Sequence, residues 1–189
     1  MKIDKWDMAK IDIRTKELIE KICTIYPYPD VSVTQRIDDS IVDEMTALDM
    51  CVEVAISERP ITCIRKRRTF KTEDNKKGYT VVSSKMYPQG DKEKYWFGYR
   101  DKRFEDIEDC DEQYMILGCR NKTLSVVRFP REFIEQNLGM LNTSVNSETG
   151  EISHYHIVIF KNPDGKMTML LSKPALREID ISDYVIGEI

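Results

Sequence analysis

The sequence lacks the features that mark a membrane or secreted protein. No apolar run approaches the roughly 18 residues that a membrane-spanning helix requires. Residues 1–7 carry neither the apolar core nor the cleavage site of a secretory signal. We therefore expect a protein of the cytoplasm that makes no contact with a membrane.

Cysteine is sparse, and its spacing does not suggest ligand pairs. The chain has five cysteines, an odd number, and no two of them form a Cys-x-x-Cys pair. Structural zinc sites use ligand pairs at short spacing, and most of these cysteines lie in or beside apolar segments. The sequence therefore predicts reduced core cysteines, no metal site and no cofactor. The cysteines are Cys23, Cys51, Cys63, Cys110 and Cys119.

Motifs of the common enzyme classes are also missing. There is no glycine-rich phosphate loop, no Gly-x-Ser-x-Gly turn and no His-Glu-x-x-His helix. The only histidines, His154 and His156, are two residues apart in a predicted strand, so their side chains point to the same face. This spacing serves metal binding or acid–base chemistry, but it also occurs where histidines are buried and satisfied by hydrogen bonds. The pair is the candidate for catalytic residues, and no third metal ligand has diagnostic spacing near it.

The sequence is instead rich in aromatic and β-branched residues between residues 95 and 160. This region predicts one sheet, because apolar segments of strand length follow one another closely. A helix is predicted over 130–141, where Pro130 suits the first helical position, and a short amphipathic helix over 101–112. The predicted strands are 95–100, 114–119, 124–129 and 154–160.

Outside this region, the apolar period predicts helices first and hairpins afterwards. Apolar residues three and four apart predict helices over 11–25 and 41–56. After Pro60 the period becomes two, which predicts strands over 61–70 and 79–84 joined by a turn at 73–78. A second hairpin turn is predicted at 162–166, whereas 142–153 reads as an exposed loop.

Together these elements predict an α+β fold. We expect a twisted, mainly antiparallel sheet, with the two N-terminal helices and one or two further helices packed on one side. Residues 1–60 are expected to form a helical segment packed on the core. Residues 61–189 are expected to form the sheet domain of the same structural unit.

Charge is distributed unevenly along the chain. The net charge of −4 argues against binding nucleic acid over the whole surface. The densest basic segment lies on the predicted hairpin after Pro60, where guanidinium groups suit a phosphate backbone. Cations on an exposed edge strand also prevent edge-to-edge pairing, so this alternative stays open. The basic residues are Arg65, Lys66, Arg67, Arg68, Lys71, Lys76 and Lys77.

A second candidate for nucleic-acid contact is the aromatic strand that begins at Tyr95. Alternation puts Trp96 on the face opposite Tyr95, Phe97 and Tyr99. An exposed ring on this strand suits base stacking, whereas a buried one belongs to the core. Trp96 is the residue of the set that we assign to the nucleic-acid site.

Four short segments carry a resemblance to known proteins. They are Tyr95-Trp96-Phe97-Gly98-Tyr99, Tyr114-Met115-Ile116-Leu117-Gly118-Cys119, Leu141-Asn142-Thr143-Ser144 and His154-Tyr155-His156-Ile157. With them, residues 95–160 resemble uncharacterised bacterial domains that accompany restriction and other DNA-defence proteins. The resemblance implies a role with nucleic acid, and it assigns no function to any single residue.

Three functional hypotheses follow from the sequence. The first is a nucleic-acid-binding or DNA-defence-associated module that contacts the phosphates of DNA or RNA with its basic hairpin. The second is a protein–protein interaction subunit, in which the basic hairpin meets the acidic 105–112 segment of a partner or of another copy. The third is a metal-dependent, nuclease-like enzyme that uses the two histidines.

Overall fold

The computed structural model describes residues 46–56, 61–65 and 68–189. The predicted helix over 11–25 and the first residues of the one over 41–56 lie outside the described residues. So do Lys66 and Arg67 of the basic segment. The described residues belong to one compact unit that spans Val42–Ile189.

Strands dominate the described residues. Two α-helices are present, α1 (Ala47–Ala55) and α2 (Arg131–Asn137). Neither they nor the short 3-10 turns are long and apolar enough to cross a membrane. The strands are β1 (Ile61–Arg65), β2 (Thr69–Thr72), β3 (Lys77–Lys85), β4 (Tyr87–Gln89), β5 (Lys92–Tyr99), β6 (Glu112–Arg120), β7 (Leu124–Pro130), β8 (Asn142–Val145), β9 (Ile152–Lys161), β10 (Met167–Leu171), β11 (Arg177–Asp180) and β12 (Val185–Glu188).

These strands form two sheets. The first has the order β1-β2-β3-β6-β7-β12, and the second the order β11-β10-β9-β5-β4, with β8 also paired to β9. Every pairing among the described strands is antiparallel except that of β3 with β6. The chain leaves the first sheet after β3, builds β4 and β5 in the second sheet, and returns at β6. This excursion allows β3 and β6 to pair in parallel, because a parallel pair needs a long connection.

The main core lies between the two sheets. Alternation along β5 buries Tyr95, Phe97 and Tyr99 against side chains of β6 and β7 and leaves Trp96 on the outer face. The opposite face of the first sheet is covered by α1, whose side chains pack on Tyr79 and Val81. This approach is close, since a Cβ added at Gly118 would lie 2.6 Å from the Cys51 sulfur.

The structure agrees with an α+β fold and mainly antiparallel strands, but it divides the predicted single sheet into two. Strands 95–100 and 154–160 pair with each other in the second sheet, and strands 114–119 and 124–129 pair in the first. The predicted strand over 61–70 is likewise divided into β1 and β2, which pair with each other as antiparallel strands. The division into two sheets lets both faces of β6 and β7 be covered, which one sheet with helices on one side does not do.

Two local predictions were also wrong. The segment 101–112 forms the 3-10 turns Asp101–Arg103 and Glu105–Ile107 before β6, because Phe104, Ile107 and Cys110 are its only buried side chains and its other residues are charged. The predicted loop at 142–153 contains β8, which forms a hairpin with the first half of β9. The helix expected over 130–141 is shorter, with Pro130 just before α2.

The described cysteines are unbridged thiols. Cys51, Cys110 and Cys119 are buried, and Cys63 on the edge strand β1 is exposed. Burial raises the pKa of the Cys51 thiol to about 12. The buried thiols therefore stay protonated and behave as small apolar side chains.

Candidate nucleic-acid interface

A cleft of about 740 Å³ opens beside β5 at Trp96 and Gly98, beyond the residues of this strand that pair with β4. It is bordered by the β1–β2 hairpin, by β3, by the outer face of β5 and β9, and by the segment that follows β5. Its volume is typical of a small-molecule or nucleotide site, which is about 300–1,000 Å³. The lining residues are Arg65, Arg68, Thr69, Thr80, Trp96, Gly98, Arg100, Lys102, Arg103, Asp106 and His154.

The β1–β2 hairpin supplies the first two arginines of the cleft. Arg65 is the last residue of β1, and Arg68 lies in the turn, just before the buried Thr69 of β2. Their positions are fixed because Arg65 pairs with Thr69 across the two strands and Arg68 donates its backbone N–H to the carbonyl of Arg65 at 2.8 Å. The hairpin therefore presents both guanidinium groups at one end of the sheet.

The segment after β5 supplies three more cations. Arg100, Lys102 and Arg103 follow the aromatic strand directly, and the Nε of Arg103 donates a hydrogen bond to the carbonyl of Gly98 at 3.2 Å. The segment is held in place by Phe104 and Ile107, which are fully buried in the core. These two buried side chains hold the segment in place, and the three cations of the segment line the cleft.

The electrostatics of the cleft are strongly positive. Five of its lining residues are cations and only Asp106 is a carboxylate. Asp106 pairs with Arg65 at 3.3 Å. Burial lowers the pKa of Arg103, and the positive charges of Arg68 and Arg100 lower it further. The guanidinium group of Arg103 therefore lies close enough to those of Arg68 and Arg100 to be repelled by them, within a protein whose net charge is −4.

Trp96 and the two histidines form the aromatic part of the site. The Trp96 ring makes edge contacts with His154 and His156, at ring-centroid distances of 5.6 and 5.4 Å. The two imidazoles stack on each other at 5.1 Å. Trp96 is still 38 % exposed, so part of its indole is available for a ligand. Gly98 lies beside it, and a Cβ there would come within 3.3 Å of the indole and 3.4 Å of the His154 ring.

The histidines are neither apolar core residues nor a metal site among the described residues. His156 shares a hydrogen bond of 2.8 Å between its Nε2 and the Ser144 hydroxyl, and His154 shares one of 2.9 Å between its Nδ1 and the Ser153 hydroxyl. Partial burial lowers the pKa of His156, and the nearby His154 adds to this effect. No group of three His, Cys, Asp or Glu side chains suited to a metal ion occurs in the described ranges. The two imidazoles form hydrogen bonds and are able to transfer protons.

The predicted nucleic-acid residues fall into three groups. Arg65, Arg68 and Trp96 line the cleft, whereas Lys66 and Arg67 lie outside the described residues. Lys71, Lys76 and Lys77 are not among the lining residues. Lys71 pairs with Asp109, and Lys76 pairs with Asp74 at 3.3 Å within the β2–β3 turn. Of the two histidines, His154 lines the cleft and His156 supports its ring from behind.

The acidic segment meets the basic hairpin within the same chain. Arg65 pairs with Asp106, and Lys71 pairs with Asp109. These contacts connect the hairpin to the segment after β5 and so define one wall of the cleft. Asp106 and Asp109 are therefore paired within the chain, whereas the second hypothesis assigned the acidic segment to contacts with a partner or another copy.

Sequence reasoning missed Arg100, Lys102 and Arg103. The segment was interpreted as acidic because six carboxylates follow between residues 105 and 112. The indication that was overlooked is the run Arg100-Asp101-Lys102-Arg103, with three cations in four residues directly after an aromatic strand. Cations beside an exposed aromatic ring are typical of single-strand binding surfaces.

Comparison with known proteins identifies no relative. No family model, no curated protein and no solved structure matches this chain.

Proposed function

We propose that this protein binds a single-stranded nucleic acid in the cleft beside β5, as a nucleic-acid-binding module of the cytoplasm. The observation that carries the proposal is the convergence of five cations and an exposed tryptophan on one cleft in an acidic protein. Guanidinium groups form charge-assisted, bidentate hydrogen bonds with phosphate oxygens. A base stacks on an indole whatever its identity.

A single strand fits the cleft better than a duplex does. The cleft is the size of a nucleotide, and the bases of a duplex are already stacked on each other and cannot lie against Trp96. The aromatic contact therefore favours an unpaired base. DNA and RNA both satisfy these requirements, and the association with DNA defence that the sequence resemblance implies belongs to this proposal as well.

Fluorescence anisotropy with labelled single-stranded DNA and RNA tests the proposal. Arg65→Glu, Arg68→Glu and Arg100→Glu are expected to weaken binding. Loss of one phosphate contact should reduce the slope of log K against log salt concentration by about 0.7. Lys76→Glu is the matched control, because it also replaces a cation by a carboxylate. Lys76 lies in the β2–β3 turn, outside the cleft. Absence of salt-sensitive binding of any strand at low ionic strength would overturn the proposal.

A fluorescence experiment addresses the aromatic contact separately. The chain has two tryptophans, Trp6 and Trp96, so Trp6→Phe leaves Trp96 as the only indole. Stacking of a base is expected to quench its emission on titration with a single strand. Binding that leaves the emission unchanged would show that the phosphates bind without the base contact.

The position of His154 favours a second candidate function, phosphodiester cleavage. His154 lines the cleft and stacks on His156 at 5.1 Å, so one imidazole faces a bound strand and the second lies behind it. A neutral imidazole can take a proton from an attacking water. As the oxygen of that water bonds to phosphorus, the P–O bond to the leaving oxygen breaks and this oxygen receives a proton from the imidazolium.

Incubation of labelled strands with the protein tests cleavage. Reactions with EDTA are compared with reactions containing Mg²⁺, Mn²⁺ or Zn²⁺, which separates proton transfer by the histidines from the metal-dependent route. His154→Asn is expected to abolish turnover and to leave binding of the strand intact. Intact strands under every condition, or turnover that survives both His154→Asn and His156→Asn, would count against an enzyme.

A further inference from the structure

The arrangement of the arginines indicates which part of a nucleic acid the cleft takes. Arg68, Arg100 and Arg103 line one cleft of about 740 Å³ together with Arg65. Arg103 cannot move away from its neighbours freely, because its Nε is bonded to the carbonyl of Gly98 at 3.2 Å. The fold thus places these cations around one cleft, where several negative charges on a ligand would meet them together.

The cations among the lining residues outnumber the carboxylates by five to one. Asp106 is the one carboxylate among them, and it pairs with Arg65 at 3.3 Å. Arg100 and Lys102 form no ion pair with any described residue. Mutual repulsion is consistent with the lowered pKa of Arg103, to which burial contributes most and Arg68 and Arg100 contribute next. A ligand that suits this group must carry several negative charges close together.

The interior of a strand does not supply such a density of charge. Each internal phosphate carries one charge and is separated from the next by a sugar. The phosphates of a 5′-diphosphate or 5′-triphosphate share bridging oxygens and carry more charge in less space. Arginine is the residue best suited to a phosphate oxygen pair, because its planar fork donates two parallel hydrogen bonds.

We propose that the cleft recognises the 5′-polyphosphate end of a nucleotide, with the clustered phosphates on Arg68, Arg100 and Arg103 and the base on Trp96. This inference rests on the proposed function, because it concerns the same cleft. The nucleotide comes either from the 5′ end of a strand or from a free nucleoside triphosphate, since both present the same chemistry.

Competition binding with a defined set of ligands tests the inference and separates the two sources. The set contains one single strand bearing a 5′-triphosphate, a 5′-monophosphate or a 5′-hydroxyl, together with free ATP and inorganic tripolyphosphate. The triphosphate strand is expected to bind at least about tenfold more tightly than the 5′-hydroxyl strand, because the added phosphates accept further charge-assisted hydrogen bonds from the arginines. Tight binding of the triphosphate strand but not of ATP identifies strand ends, and the converse identifies free nucleotides.

Variants assign the preference to the cleft. Arg100→Gln and Arg103→Gln are expected to remove the preference for the triphosphate, and Lys76→Gln is expected to retain it. Arg100 is exposed, so its variant remains informative if replacement of the hydrogen-bonded Arg103 impairs folding. Trp96→Leu is expected to weaken binding of ATP and strands but not of tripolyphosphate, which has no base.

The outcomes distinguish this inference from the proposed function. Equal affinity for the 5′-triphosphate and 5′-hydroxyl strands overturns the inference and leaves strand binding in place. Binding of ATP without binding of any strand supports the inference and overturns the single-strand proposal. A preference for triphosphate that persists in Arg100→Gln and Arg103→Gln places the phosphates elsewhere and overturns the inference.

Discussion

Two histidines on the same strand differ because their rings have different neighbours. His156 lies opposite Gly98 on β5 and is bonded to the Ser144 hydroxyl of β8, so strands on both sides enclose it. His154 lies closer to the end of β9 and borders the cleft. Partial burial, with the adjacent His154 as the lesser cause, therefore lowers the pKa of His156. The folded protein prefers the neutral form of this ring.

This preference predicts a dependence of stability on pH. The pKa of His156 is depressed below its ordinary value of 6.5, so the unfolded chain binds the proton more readily. The contribution of His156 is present above the unfolded pKa and is lost as the pH falls through the folded pKa. Urea unfolding at pH 7.5 and at pH 5 should show a smaller loss of stability in His156→Asn than in the wild type.

The comparison needs one control, because other groups titrate in the same range. His154→Asn removes the neighbouring imidazole but keeps the ring of His156 in its place. This variant should lose more stability on acidification than His156→Asn does. An equal pH dependence in the wild type and in His156→Asn would contradict the assignment.

At the scale of the element, the segment between β5 and β6 is held in place by buried apolar side chains. It contains two 3-10 turns, and its apolar anchors Phe104 and Ile107 are completely buried. Phe104 also packs against Tyr99, at a ring-centroid distance of 6.0 Å. The guanidinium of Arg131 in α2 lies over the Phe104 ring, 5.2 Å from its centroid. The cleft cations of this segment depend on these anchors for their positions.

Replacement of Phe104 by alanine should therefore affect both stability and binding. Loss of a buried phenylalanine typically costs about 3–5 kcal/mol of unfolding free energy. The loosened segment should also weaken binding, since Arg103 precedes Phe104 directly. Urea unfolding and anisotropy with a single strand measure the two effects.

Ile134→Ala provides the matched control for Phe104→Ala. Ile134 is 2 % exposed and belongs to the same core cluster, but it lies on α2 and is not among the lining residues of the cleft. This variant should lose about 2–5 kcal/mol without a specific loss of affinity. If the two variants weaken binding equally, the segment has no particular role in positioning the cations.

At the scale of the whole molecule, the charge of the cleft is opposite in sign to that of the chain. Five cations and one carboxylate line the cleft, whereas the chain carries a net charge of −4. The Lys161–Glu188 pair, at 2.5 Å, connects the second sheet to the first away from this site. The cleft is therefore the part of the described surface where we expect phosphates to bind.

This charge distribution predicts that affinity depends little on the length of the strand. A strand just long enough to fill the cleft should bind about as tightly as one several times longer, because the shorter strand already contacts the five cations that line the cleft. Anisotropy with a length series of the same 5′ end, at constant salt, measures this. Affinity that rises steadily with length would show that the strand continues across the surface.

The sequence by itself determined most of the longer strands. The alternation of apolar residues predicted β3, β5, β6, β7 and β9, put Trp96 on the face of β5 opposite Tyr95, and predicted the hairpin turn after Lys161, since these depend on interactions between near neighbours in the chain. The sequence also predicted Arg65 and Arg68 as candidates for phosphate binding, because a dense basic run is recognised without knowing how the strands pair.

Only the tertiary structure decided which of these elements meet. The pairing of β5 with β9 brings Trp96 next to His154, and the ion pairs with Asp106 and Asp109 bring the hairpin next to the segment after β5. Arg68 and Arg103 thereby share a cleft, which no local pattern specifies. Strand partners and the division into two sheets follow from which apolar faces can cover each other, and burial of those faces is a property of the whole chain rather than of any one segment.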